Sequence, residues 1–172
     1  RVMFSMAGID PNPFAGLRRR QNTTVGRREL TENELRAVCG SAVGELQTLL
    51  AVGLYTGLRL GDACCLSWNA VAADLTSISV LPSKTASRGA KLAIPTHPEL
   101  RAIMGALPRG GGLVMPELAA LYLRDKSAVS RRIKKHFEAA GISTQQPPGK
   151  DRKRAACVAG YHSLRHAFVS IA

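Results

Sequence analysis

The feature that most restricts the fold is an apolar segment between Leu46 and Leu54. Its leucines and valine recur at helical spacing on nearly every side of the helix they would form. A helix of this kind must be buried, so it predicts the central element of a helical domain. The pair Thr56-Gly57 ends it, because glycine is a natural C-terminal cap.

Further helical patterns flank this segment on both sides. Thr31 and Glu34 have the spacing of a capping box, which predicts the start of a helix, and Thr96 and Glu99 repeat that spacing. Residues 145–154 are polar and rich in proline, which predicts a mobile loop. Apart from the central helix, the pattern predicts helices over 31–39, 58–68, 96–107, 118–123, 127–140 and 162–172.

The periodicity changes after residue 77. Ile78 and Val80, and then Leu92 and Ile94, alternate with small or polar side chains, as is typical of strands. The polar stretch 82–89 separates them, so we predict either a hairpin with a long tip or two strands of a small antiparallel sheet. The expected fold class is therefore mainly α with a small antiparallel β element.

Positive charge is concentrated in two parts of the chain. Its 172 residues include 24 Lys and Arg against 12 Asp and Glu, a net charge of +12. Residues 1–30 and 124–154 carry this excess, whereas the acidic and basic residues of 31–123 balance. Such localised positive charge indicates a polyanionic binding partner, and double-stranded DNA is the first candidate. An RNA-binding function is an alternative that charge alone supports.

Composition excludes several other classes of protein. The longest apolar run, 49–55, is too short to span a membrane, so we expect no membrane association. The cysteines are Cys39, Cys64, Cys65 and Cys157, and their spacing is typical of neither a zinc site nor a disulfide framework. We therefore expect the cysteines to be small buried residues of a protein that works in a reducing cytosol. No acidic cluster suits two-metal chemistry, and we expect neither metal nor cofactor.

Three short motifs have the residue types of a phosphate site. They are Thr56-Gly57-Leu58-Arg59-Leu60-Gly61-Asp62, Lys84 in the polar stretch, and His162-Ser163-Leu164-Arg165-His166. Arg59 and Asp62 are three residues apart, so the carboxylate can orient the guanidinium. His162 and Arg165 share a helical face for the same reason.

Two guanidiniums and an imidazole at one point would grip the non-bridging oxygens of a phosphodiester. Such a site needs no metal, because the arginines supply the positive charge. A lysine on a hairpin can then protonate a leaving oxygen.

In order and spacing, these motifs resemble the catalytic domain of the tyrosine recombinases, the phage-integrase and Xer-like site-specific recombinases. The resemblance covers residues 28–172 and includes Leu30-Thr31, Tyr55-Thr56-Gly57-Leu58-Arg59, Leu66-Ser67-Trp68, Ser83-Lys84-Thr85 and His162-Ser163-Leu164-Arg165-His166-Ala167-Phe168. It implies that 29–172 form the catalytic domain without its C-terminal segment, which in the family carries the nucleophilic tyrosine. Residues 1–28 would be the basic linker from a separate N-terminal DNA-binding domain.

The resemblance also implies a reaction. A tyrosine cuts one DNA strand, forming a 3′-phosphotyrosyl link and a free 5′-hydroxyl, and the 5′-hydroxyl of a partner strand then attacks that link. By position, Arg59 and Arg165 match the phosphate-gripping arginines, and Lys84 matches the general acid. His162 matches the histidine that handles the tyrosine proton or binds the phosphate. Asp62 stands where the family usually has Glu, as support for the arginine.

The expected contacts to DNA extend beyond this pocket. The further candidates are Arg88, Arg131, Arg132, Lys134 and Lys135. The full-length protein is expected to act as a tetramer on DNA, in the cytoplasm with the nucleoid, and this stretch alone is expected to be a monomer.

The tyrosines set one limit on the expected activity. Tyr55, Tyr122 and Tyr161 do not match the position of the family's nucleophile, which follows the second arginine motif. We therefore expect this stretch to hold most of the phosphate pocket and to be inactive alone. Two alternatives stay open. One is a DNA-binding regulator that kept the fold without catalysis, and the other is a type IB topoisomerase.

Overall fold

The computed structural model describes residues 26–83, 91–110, 112–148 and 155–171. The helices there are α1 (Glu32–Gly40), α2 (Glu45–Thr56), α3 (Leu60–Cys64), α4 (Pro98–Gly105), α5 (Pro116–Arg124), α6 (Lys126–Ala139) and α7 (Tyr161–Ile171), with a 3-10 helix at Trp68–Ala70. The strands are β1 (Ser77–Val80), β2 (Leu92–Pro95), β3 (Gln145–Gln146) and β4 (Ala156–Cys157). The expected fold class, mainly α with small antiparallel sheets, is confirmed.

Some expectations fall elsewhere in the chain. Lys84, Arg88 and residues 1–25 of the expected linker lie outside the described residues. No helix of the part that is described combines the length and the apolar character that a membrane span needs.

Helix α2 forms the centre of the molecule, as its apolar pattern predicts. Leu49, Leu50 and Val52 have no exposed surface. The helices α1, α4, α5 and α7 all pack against α2. Gly53 permits the close approach of α7, because a Cβ at this position would lie 2.8 Å from the ring of Tyr161.

The start of α1 is held by two interactions of one carboxylate. Glu34 accepts a hydrogen bond from the backbone N–H of Thr31 at 2.9 Å, and the Thr31 hydroxyl accepts one from the N–H of Glu34 at 3.3 Å, so the predicted capping box is confirmed. Glu34 also binds Arg28 through both carboxylate oxygens, at 2.6 and 2.7 Å. The backbone N–H of Arg28 donates to the carbonyl of Val158 at 2.8 Å. The residues just before α1 are therefore part of the folded body.

The capping box predicted for α4 is wrong. His97 is the N-cap, and its Nδ1 accepts a hydrogen bond from the N–H of Glu99 at 3.3 Å. Thr96 is buried instead, and its hydroxyl donates to the carbonyl of Leu75. Thr96 thus ties β2 to the turn before β1, a role that depends on a residue distant in sequence.

The helix predicted over 58–68 is shorter in the structure. It is limited to α3, which begins after Arg59. Beyond α3 the backbone bonds to another part of the chain, because the carbonyl of Leu66 accepts from Val114 at 2.8 Å and the N–H of Trp68 donates to Gly112 at 2.9 Å. These bonds replace the intrahelical ones that a longer helix would need.

The β prediction holds for one sheet and misses the other. Strands β1 and β2 pair antiparallel, from Ser77 opposite Pro95 to Val80 opposite Leu92. Strands β3 and β4 form a second antiparallel sheet, in which β3 begins the stretch 145–154 expected to be a mobile loop and β4 follows that stretch. Each of its strands has two residues, too few for a periodic pattern. The four cysteines are free thiols, but only Cys64 is buried as expected, because Cys39 and Cys65 are half-buried and Cys157 is exposed.

Candidate active site

Arg59 lies where the chain turns from α2 into α3. Gly57 ends α2 with φ at 61°, in the left-handed region that favours glycine. A Cβ at Gly57 would lie 2.6 Å from the ring of Phe168 on α7, so this turn is also packed tightly. Arg59 follows as the N-cap residue of α3 with an extended backbone. The glycine turn therefore fixes where the Arg59 side chain leaves the protein body.

Helix α7 presents His162 and Arg165 on its outer side. Its inner side is formed by Tyr161, Leu164 and Ala167, which are all buried. His162 is exposed and Arg165 is half-buried. The spacing along α7 thus gives His162 and Arg165 one common face, as the sequence predicts.

Arg59 lines two cavities. The smaller, of about 270 Å³, is lined by Arg59, Arg165 and Asp62 together with the Gly57 turn. The larger, of about 580 Å³, is lined by Arg59, His162 and polar side chains of α6. The structure therefore brings both predicted arginines and the predicted histidine to one basic surface.

The pKa shifts of the site show how close its positive charges lie. Burial lowers the pKa of Arg165, and the charge of Arg59 lowers it further. Partial burial is also the largest cause that lowers the pKa of His162. Neighbouring positive charges add to this effect, in the order Arg27, His166, Arg165 and Arg59. An anion placed among these groups would relieve their mutual repulsion.

Asp62 has a different contact from the one expected. Its Oδ1 accepts a hydrogen bond from the backbone N–H of Ser83 at 3.2 Å, and its Oδ2 is buried with no hydrogen-bond partner among the described residues. Its negative charge raises the pKa of Arg165. Asp62 therefore links the smaller cavity to Ser83, in the segment that follows β1. Its expected support of the Arg59 guanidinium stays a prediction.

The basic side chains of α6 divide between two faces. Arg131 and Lys134 line the larger cavity, whereas Arg132 and Lys135 do not. Arg131 and Lys134 each have an acidic neighbour. Arg131 pairs with Asp125 at 2.6 Å, and Lys134 lies 3.7 Å from Glu138. The buried side of α6 consists of Val129, Ile133 and Phe137, as the sequence predicts.

Several residues of the larger cavity escaped the sequence analysis. They are Arg27, Lys126, Ser127 and Ser130. The sequence could have predicted the two serines, because their spacing places them on one helical face with Arg131 and Lys134. Arg27 had none beyond its charge, since only the folded chain brings it to the cavity.

The three tyrosines are all packed against other parts of the protein. Tyr55 stacks on His97 with ring centroids 4.3 Å apart. Tyr161 is 7% exposed, and its hydroxyl is buried without a partner among the described residues. Tyr122 is half-buried, with its hydroxyl against Gly61. Burial is the main cause that raises the pKa of each phenol.

A metal site requires several ligating side chains close together. Within the described ranges, no three His, Cys, Asp or Glu side chains lie close enough together to hold a metal ion.

Comparison with known proteins places this arrangement in a known fold. The XerA recombinase matches with a TM-score of 0.57 and 17% identity, over 99% of this chain and 57% of that chain. A lambda integrase tetramer bound to a Holliday junction matches with a TM-score of 0.59 and 22% identity, over 98% of this chain and 47% of that chain. The chain has the catalytic-domain fold of the tyrosine recombinases.

The similarity to the tyrosine recombinases extends over a length that corresponds to one domain. The lambda integrase catalytic core matches with a TM-score of 0.51 and 22% identity, over 84% of this chain and 85% of that one. The prophage integrase IntR of Escherichia coli (strain K12) is 30% identical over 71 residues, which are 41% of this chain and 17% of that protein. This chain therefore spans less than two thirds of the integrase IntR and of XerA. No protein-family model matches the sequence.

Proposed function

We propose that this chain supplies the phosphate-binding pocket of a site-specific DNA recombinase of the tyrosine-recombinase type. The observation that carries the proposal is the meeting of Arg59, Arg165 and His162 on one basic surface within this fold. The integrase and recombinase names of the similar proteins support the same activity.

The arginine pair is suited to the reacting phosphate. Arg59 and Arg165 both line the smaller cavity, so a phosphodiester between them would receive hydrogen bonds on its two non-bridging oxygens. Negative charge builds on these oxygens as phosphorus becomes five-coordinate. Guanidiniums fixed in advance stabilise that charge without reorganising.

His162 and Lys84 would handle the protons. The lowered pKa of His162 favours the neutral imidazole, which accepts the proton of an attacking tyrosine hydroxyl. The O–P bond to the tyrosine forms as the P–O5′ bond breaks, and Lys84 gives its proton to the leaving 5′ oxygen. Rejoining reverses these steps with the 5′-hydroxyl of a second strand, so no bond energy is lost.

The first experiment measures covalent adduct formation by the full-length protein on a suicide substrate that carries its own recombination site. We expect Arg59→Ala and Arg165→Ala to slow the adduct by on the order of 10²–10³, while duplex binding falls much less. Arg36→Ala is the matched control, because Arg36 lies on the exposed side of α1 and pairs with Glu32. Normal adduct formation by both site variants would contradict the proposal.

Adduct formation, DNA binding and DNA relaxation together separate the alternative functions. Binding without any adduct by the full-length protein would favour a DNA-binding regulator. Relaxation of supercoiled DNA that lacks a second site would favour a type IB topoisomerase. The stretch 1–172 alone should form no adduct, because none of its three tyrosines matches the position of the nucleophile that the resemblance implies, and the Tyr161 hydroxyl is buried.

The assembly belongs to the same proposal. Lambda integrase was solved as a tetramer on a Holliday junction. We propose a tetramer on DNA for the full-length protein, a monomer for residues 1–172, and a location in the cytoplasm with the nucleoid.

A further inference from the structure

Arg27 is a basic residue of the larger cavity that none of the three motifs contains. Its side chain is exposed, and it lines the cavity together with Arg59 and His162. The ion pairs of the described residues involve other cations, so no carboxylate there neutralises it.

The position of Arg27 is fixed by its neighbour Arg28. The bidentate pair between Arg28 and Glu34 holds this part of the chain to the start of α1. The bond from the Arg28 N–H to the carbonyl of Val158 holds it to the segment that leads into α7. Arg27 is therefore held close to the start of the helix that carries His162, although the two residues are distant in sequence.

The electrostatics of the cavity agree with this placement. Among the charges that lower the pKa of His162, that of Arg27 has the largest effect. Lys126, Arg131 and Lys134 line the same cavity. Arg131 and Lys134 already have carboxylate neighbours. Among the described residues, however, no ion pair involves Arg27, Arg59 or Lys126, so their grouped positive charges are suited to a polyanion.

The size of the cavity indicates more than one phosphate. The arginine pair occupies a cavity of about 270 Å³, and the adjoining one, of about 580 Å³, is about twice as large. A DNA strand whose reacting phosphate lies between Arg59 and Arg165 can continue past Arg59 into the larger cavity, because Arg59 lines both.

We propose that Arg27 binds a DNA backbone phosphate next to the reacting one, and that the ion pair between Arg28 and Glu34 positions it there. The inference rests on the proposed function, since it takes the polyanion to be DNA. It adds a phosphate-binding residue from the segment before α1 to the motifs of α3 and α7.

The test compares Arg27→Gln with Arg36→Gln in the same protein. Two quantities are measured: the pKa of His162 by NMR without DNA, and duplex DNA affinity over a series of salt concentrations. Arg27→Gln should raise the pKa of His162, because a neighbouring positive charge is lost. It should also reduce the slope of log K against log[salt] by about 0.9, the value for one phosphate contact. Arg36→Gln should change neither.

The two readouts distinguish the possible failures. A raised His162 pKa with an unchanged salt slope would place Arg27 beside the histidine but overturn its contact with phosphate. An unchanged pKa would overturn the placement itself. If the unaltered protein shows no salt-dependent binding to duplex DNA, the proposed function fails, and this inference fails with it.

The positioning role has its own variant pair. Glu34→Gln keeps a side chain that serves in a capping box but removes the charge that holds Arg28. It should weaken DNA binding, and it should add little to Arg27→Gln in the double variant. Thr31→Ala removes the cap without touching Arg28 and should leave affinity unchanged. Equal affinity of Glu34→Gln and the unaltered protein would overturn the positioning role.

Discussion

At the scale of single residues, Gly53 sets the distance between the central helix and the helix that carries His162. A Cβ there would lie 2.8 Å from Cε2 of Tyr161, and the hydroxyl end of that ring is itself buried. An added Cβ would therefore push the ring toward the larger cavity, which Tyr161 lines, or move α7 away from α2.

We expect Gly53→Ala to lower the free energy of unfolding by about 1–3 kcal/mol, the usual cost of overpacking. The better helix propensity of alanine, worth about 1 kcal/mol, offsets part of this loss. Urea denaturation measures the change. In a Tyr161→Leu background the ring is absent, so the same substitution should cost less. An equal loss in both backgrounds would mean that the ring is not the obstacle.

Glu34 gives a pH dependence of known sign. Its pKa is lowered from 4.5 to about 2, first by the hydrogen bonds from Arg28 and then by the Thr31 backbone. A depressed carboxyl pKa stabilises the fold above the unfolded pKa, and this stability is lost as the pH falls toward about 2. Thermal unfolding of the unaltered protein and of Glu34→Gln should therefore differ at pH 7 and converge in acid.

The control for this measurement is Glu32→Gln. Glu32 pairs with Arg36, but both side chains are 76% exposed, so the pair should contribute little. A pH-independent difference between Glu34→Gln and the unaltered protein would contradict the assigned pKa.

At the scale of elements, α6 offers a test of which face meets DNA. Arg131 lines the larger cavity and Arg132 does not. We expect Arg131→Gln to weaken duplex binding and to reduce its salt dependence, because one phosphate contact is lost. Arg132→Gln should have a smaller effect on both. Equal effects, measured by salt titration of each variant, would show that the cavity does not define the DNA-facing side.

Local signals explain which elements could be predicted. The cap of α1 lies within four consecutive residues, so Thr31 and Glu34 suffice to predict it. The cap of α4 could not be predicted in this way, because Thr96 is drawn away by Leu75. The end of α3 likewise depends on pairing with Val114. Hydrogen bonds between distant residues overruled the local preference in both cases.

The candidate site shows the same division. The spacing of His162 and Arg165 is a local property of one helix, and the sequence predicts their common face. The contact of Asp62 with Ser83 and the approach of Arg27 to His162 exist only once α1, α3 and α7 have packed. No periodicity or motif within one segment encodes these contacts.

At the scale of the whole molecule, the phosphate pocket is assembled from segments that are far apart in the chain. Arg59 directly follows the central helix α2. Arg165 lies on α7, which packs against α2 and is the last described element of the chain. The ribosome delivers α7 only after every other described element has left it. A nascent chain that has folded around α2 therefore holds one arginine but not the pair. The proposed phosphate pocket is thus complete only once α7 has docked against α2, at the close contact that Gly53 permits.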